Sequence, residues 1–224
     1  MENIAKNAEA LQARVAAACA AASRKPDGVS VIAAAKTFSA NAVAAAVAAG
    51  LCHVGENYVQ EAEEKKAALA GLSVQWHFLG RLQGNKAAAV ARLFDWVHSV
   101  DRLSIACRLS AARLGMAPLK VFLQVNVDGE SGKGGVSPAE VGALAQEITQ
   151  QPHLQLAGLM NIPPAENDPL PSFQALAALR RDVGLAATGL SMGMSGDFEK
   201  AISAGATHIR VGTVLFGERV YKKI

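Results

Sequence analysis

At 224 residues with a formal net charge of +3 and no dense basic tract, the chain is a poor fit to nucleic-acid binding. No apolar run approaches the roughly 20 residues of a membrane-spanning helix, and no signal peptide opens the sequence. Cys19, Cys52 and Cys107 are odd in number and form no C-x-x-C pair, so disulfide and metal frameworks are excluded and the thiols read as free, in a cytoplasmic protein.

One domain spanning 1–224 is expected, long enough to bury its own core. Ile4, Ala8, Leu11, Val15, Ala18 and Cys19 recur at helical spacing, and Arg24-Lys25-Pro26-Asp27-Gly28 stops that first helix. From there the pattern alternates. Strands are predicted at 30–35, 51–54, 75–79, 96–99, 119–127, 155–160, 189–191 and 208–211. Helices are predicted near 41–49, 57–70, 84–92, 101–113, 138–150, 171–183 and 197–204. Strand followed by helix or turn, repeated in this way, predicts an α/β fold: a TIM-type (β/α)8 barrel with an extra N-terminal helix over its floor or flank. A doubly wound sheet needs a glycine-rich turn after its first strand, where this chain has Lys36-Thr37-Phe38-Ser39.

In such a barrel the C-terminal strand ends build the functional face. Lys36 falls there after strand one, Glu56 and Asn57 after strand two, and His77 on strand three. Asn126 lies near the end of strand five, Met160 and Asn161 at the end of six, Ser191 on seven and Arg210 on eight. Phosphate sites in barrels form after strands seven and eight, the places of Gly193-Met194-Ser195 and Gly212-Thr213. Glycines there let backbone N–H groups approach an anion, and the hydroxyls add donors. A strand-end lysine beside a phosphate cradle suits a phosphorylated aldehyde held as a Schiff base, with pyridoxal 5'-phosphate (PLP) the leading candidate. Arg210 facing the pyridine nitrogen would keep that nitrogen unprotonated and the ring a weak electron sink. Gly132-Lys133-Gly134-Gly135 lacks P-loop spacing, and Ser191-Met192-Gly193-Met194-Ser195 is out of register for a nucleophile elbow. The scattered histidines suggest no metal site.

Six motifs in order carry a resemblance. They are Lys36 after its apolar strand, Gly55-Glu56-Asn57-Tyr58-Val59-Gln60-Glu61, Trp76-His77-Phe78-Leu79-Gly80-Arg81-Leu82-Gln83-Gly84-Asn85-Lys86, Gly158-Leu159-Met160-Asn161-Ile162-Pro163, Leu190-Ser191-Met192-Gly193-Met194-Ser195-Gly196-Asp197, and Ile209-Arg210-Val211-Gly212-Thr213 with Phe216-Gly217. The chain resembles the pyridoxal phosphate homeostasis proteins, whose fold is similar to the N-terminal barrel domain of alanine racemase. The resemblance implies a Schiff base between PLP and Lys36, and phosphate binding by Ser195, Gly212, Thr213 and the backbone around Met194. It implies Arg210 at the pyridine nitrogen, with Asn57 and His77 as pocket positions; Ser191 is counted with them. Arg81 and Asn161 depart from the family pattern near the mouth, which bears on ligand access.

A role in intracellular PLP (vitamin B6) homeostasis without enzymatic turnover is therefore expected, with PLP-requiring apoenzymes as recipients and the protein itself a monomer. Two-base racemisation needs a second acid/base opposite the lysine, which alanine racemase takes from a tyrosine of its C-terminal domain. The chain ends at Ile224, and its tyrosines, Tyr58 and Tyr221, are not obvious substitutes. The alternatives are a PLP enzyme acting on small amino acids and a barrel aldolase using Lys36 on a phosphosugar.

Overall fold

Residues 2–218 are described by the structure, a computed structural model. Eight parallel strands close into a barrel in chain order: β1 (Ser30–Ala34), β2 (His53–Glu56), β3 (Gln75–Phe78), β4 (Trp96–Val100), β5 (Leu119–Gln124), β6 (Leu154–Met160), β7 (Gly189–Met194) and β8 (His208–Val211). β1 also pairs with β8, Ile32 opposite Arg210, so the first and last βα loops become neighbours. That closure brings Lys36 to Gly212 across most of the chain length.

Helices α1 (Glu2–Ala21), α2 (Ala40–Ala48), α3 (Val59–Ala68), α4 (Ala87–Leu93), α5 (Leu103–Ala112), α6 (Val141–Thr149), α7 (Leu170–Asp182), α8 (Phe198–Ser203) and α9 (Thr213–Phe216) form the outer layer. The main apolar core lies between them and the strands. The N-terminal helix takes the flank, not the floor. α1 buries Ala8, Leu11, Val15 and Cys19 on one stripe and packs against α2, α8 and α9. α9 is a single turn, so α1 covers a sector that a longer eighth helix would otherwise fill. Arg24 fastens its end by donating to the carbonyls of Ile202 and Ala206, both at 2.7 Å.

The predicted strands and helices all form, with shifted ends. β2 begins two residues later than expected and takes in Gly55 and Glu56. β5 ends at Gln124, and only Val125 continues, as an isolated bridge to Val136. β7 runs three residues further, to Met194. Cys52 and Cys107 are exposed free thiols and Cys19 a buried one. Among the described residues no helix is long and apolar enough to cross a membrane, and no group of three or more His, Cys, Asp or Glu side chains is placed to hold a metal ion.

Candidate functional site

The loops after β1, β7 and β8 frame a cavity of about 320 Å³. Lys36, Asn57, Met194, Ser195, Arg210, Gly212 and Thr213 line it, together with Ala34, Phe38, Leu79, Ile162 and Gly196. Its size lies at the lower end of the range for small-molecule sites.

Lys36 is half-buried two residues beyond β1, and the backbone on either side of it is tied to α3. Lys65 Nζ donates to the Ala35 carbonyl at 2.8 Å and to Glu56 Oε1 at 2.5 Å. Glu61 Oε2 accepts from the Thr37 N–H at 2.9 Å and from Lys65 at 3.3 Å. Thr37 needs such a tie, because its φ of 71° is the left-handed conformation that a β-branched residue rarely adopts. Glu56, expected at the mouth, is absent from the cavity wall: it is fully buried against Lys65, with Oε2 lacking any partner. Burial pushes its carboxyl up to about 6, against the opposing pull of Lys65.

Opposite Lys36, β7 and β8 end in a cluster of donors. Gly193 has φ 92°, and a Cβ there would stand 2.5 Å from that of Ala201, so only glycine lets β7 bend at this point. Asp197 Oδ1 accepts from the Met194 N–H at 2.5 Å. The Gly212 N–H, at 3.2 Å, and the Val214 N–H, at 3.5 Å, converge on Ser195 Oγ, leaving the serine proton free to donate into the cavity. A Cβ on Gly212 would lie 3.3 Å from the Ala34 carbonyl, so the two loops approach closely. Phe216 stacks on Phe38 at 4.7 Å and closes that side.

Arg210 forms the inner wall. Its Nη1 donates to Ser191 Oγ at 2.8 Å and its Nη2 to the Asn161 carbonyl at 2.9 Å. Burial lowers its guanidinium to about 10, which still leaves it charged at neutral pH. Asn161 itself is buried, donating to Ser172 Oγ at 2.9 Å.

Ser191 and His77 do not reach the wall. Both are fully buried beneath it, Ser191 between Arg210 and His98, His77 between His98 and His53 and stacked on Trp96. Asn126 caps its own loop at Glu130, and Lys133 pairs with Glu130 at 2.8 Å. Tyr58, 57% exposed, lines a neighbouring groove with Arg81. Tyr221 lies outside the described residues. Sequence reasoning did not single out Phe38, Ile162, Lys65 or His98. The Glu61–Lys65 spacing of i, i+4 looks like a surface helix pair, and only the burial of Glu56 marks it as something else.

The family model described as "Alanine racemase, N-terminal domain" matches residues 1–220. The pyridoxal phosphate homeostasis protein of Pseudomonas aeruginosa is 49% identical over 225 residues, covering 99% of this chain and 98% of its own. That of Escherichia coli is 40% identical over 237 residues, with both chains covered in full. Among solved structures, PipY of Synechococcus elongatus with PLP bound superposes with a TM-score of 0.82 at 38% identity, covering 96% of this chain and 100% of that one. Alanine racemase of Corynebacterium glutamicum, at 18% identity and a TM-score of 0.67 over 96% of this chain and 60% of that one, shares the fold.

Proposed function

The chain belongs to the pyridoxal phosphate homeostasis protein family, and on that premise we propose that it binds PLP in the cavity at the barrel mouth, as a Schiff base on Lys36. The observation that carries this reading is a half-buried strand-end amine sharing one small cavity with a hydroxyl-and-amide cluster and a buried arginine.

The residues present fit the group. The Ser195 hydroxyl, whose oxygen already accepts from the Gly212 and Val214 N–H groups, would donate to the phosphate together with the backbone and hydroxyl of Thr213, and the close approach of Gly212 to the Ala34 carbonyl makes a side chain there a tight fit. Phe38, Leu79 and Ile162 supply apolar wall for a planar ring, and Asn57 adds a polar contact. When bound, PLP supplies an aldehyde for a primary amine and a ring that withdraws electrons from it. Arg210, charged and held by Ser191 and Asn161, would present its remaining N–H groups to the ring nitrogen and keep a proton off it. That weakens the ring as an electron sink. The clamp of Glu56, Lys65 and Glu61 holds the backbone on both sides of Lys36 and so aims its amine.

The protein stores and delivers PLP and does not turn over amino acids. Among the described residues, the cavity wall carries no tyrosine, histidine, cysteine or carboxylate that could act as a second acid/base opposite Lys36. PLP-requiring apoenzymes are the recipients this reading implies, and the barrel acts as a monomer. Borohydride reduction of the PLP-loaded protein followed by peptide mapping should place the adduct on Lys36. Alanine held with the loaded protein in deuterated water should keep its α-proton. Sustained exchange that vanishes in Lys36→Ala would replace storage by catalysis.

A further inference from the structure

The barrel interior contains a single file of polar groups that runs from its far end to Arg210. His53 Nδ1 lies 2.9 Å from His77 Nε2, and His77 Nδ1 lies 2.9 Å from His98 Nε2. His98 Nδ1 is 2.7 Å from Ser191 Oγ, the atom that accepts from Arg210 Nη1 at 2.8 Å. His77, His98 and Ser191 are fully buried, and the imidazoles are packed among Trp96 and Phe122. His53, at the far end, is half-buried beside a surface groove with Ser30 and Cys52. Burial holds His77 and His98 well below the usual imidazole range, and the neighbouring histidines, then Lys120 on β5 for His77 and Arg210 on β8 for His98, push the same way, so both are neutral. His208 on β8 is the other titratable group facing the file, and burial lowers it to about 4.

A neutral imidazole donates from one nitrogen and accepts at the other. Arg210 can only donate, so Ser191 Oγ must accept from it. The serine has one proton, and His98 Nδ1 is its other hydrogen-bonding partner. Turning the file round would leave that buried hydroxyl proton without an acceptor. One direction therefore satisfies every group: Arg210 to Ser191, Ser191 to His98 Nδ1, His98 Nε2–H to His77 Nδ1, His77 Nε2–H to His53 Nδ1. We infer that His98, supported by His77 and His53, is a positioning residue that acts through Ser191 to fix the Arg210 guanidinium in the cavity wall, with all three histidines in the Nε2–H tautomer. The tautomer pattern stands on the protein alone; its effect on PLP rests on the reading of Arg210 given above.

The test is nitrogen-15 NMR of PLP-free protein at neutral pH, with PLP titrations of two variants beside it. His53, His77 and His98 should all show protonated Nε2 and bare Nδ1, and the Arg210 Nη protons should be slow to exchange. In His98→Leu the serine proton loses its acceptor: the Arg210 signals should average, and PLP affinity should fall about ten-fold. His98→Asn offers Oδ1 near the position of Nδ1 and should restore slow Arg210 exchange and most of the affinity. If His98→Leu fails to fold, Ser191→Ala serves instead, and His98 should then populate both tautomers. A cationic or Nδ1–H form of His77 or His98 in the wild-type protein overturns the file. Equal Arg210 exchange in the leucine and asparagine variants overturns the positioning role. Wild-type protein that binds no PLP sinks the functional reading instead, while the tautomers and Arg210 exchange still decide the file.

Discussion

Replacing Lys65 with methionine isolates the clamp behind Lys36. Lys65 Nζ is the partner of Glu56 Oε1, and Glu56 Oε2 has none, so the substitution strands a fully buried carboxyl. Its cheapest escape is to bind a proton, since burying an unpaired carboxylate costs still more. With the folded value at about 6 in the intact protein against the ordinary glutamate value of 4.5, ionisation of Glu56 already opposes folding as pH rises through that interval. A variant that keeps Glu56 protonated throughout forgoes the ionisation that the wild-type protein gains above pH 6, which near pH 7.5 amounts to about 2 kcal/mol and near pH 5 to almost nothing. The Ala35 carbonyl and Glu61 also lose a donor, which adds about 1 kcal/mol at either pH. Urea unfolding of the two proteins should therefore show Lys65→Met less stable by about 3 kcal/mol near pH 7.5 and by about 1 kcal/mol near pH 5. A loss that is the same at both pH values, or larger in acid, would refute the clamp as described.

Two further substitutions separate strained from incidental features. Gly193→Ala puts a Cβ 2.5 Å from that of Ala201 at a φ of 92°. It should cost about 3 kcal/mol in thermal or denaturant unfolding, and a loss below ~1 kcal/mol would mean that β7 can be rebuilt without the bend. Arg14→Ala breaks an exposed ion pair to Glu199, whose side chains are 45% and 40% exposed. It should change stability by less than ~1 kcal/mol, and a larger loss would show that the flank contact of α1 on α8 depends on that charge.

The barrel was legible because buried parallel strands read as short apolar runs, each closed by a turn and followed by a helical stretch. Their ends were less so. Glu56 looks like a residue that stops a strand, and it lies within β2 only because Lys65, on the following helix, accompanies it into the core. The sequence predicts β7 to end at Ser191, since a glycine between two methionines looks like loop, whereas the bend at Gly193 lets pairing continue to Arg210. The cavity residues at Lys36, Asn57, Met194, Ser195, Arg210, Gly212 and Thr213 could be found by position alone, since barrel loops on one face converge. The histidine file could not. His98 and Ser191 are 93 residues apart and meet only across the closed interior, which no local pattern in the sequence encodes. The resemblance implies a pocket position for His77, and the sequence assigns its strand but not its depth in the barrel, where it is fully buried.

The account turns on Lys36, and the most direct measurement is an ultraviolet–visible titration of the purified protein with PLP beside Lys36→Ala. A visible absorption band that grows to one equivalent in the wild-type protein, disappears on borohydride reduction and never forms in the variant is the predicted result. The same band in both proteins, or in neither, would contradict it.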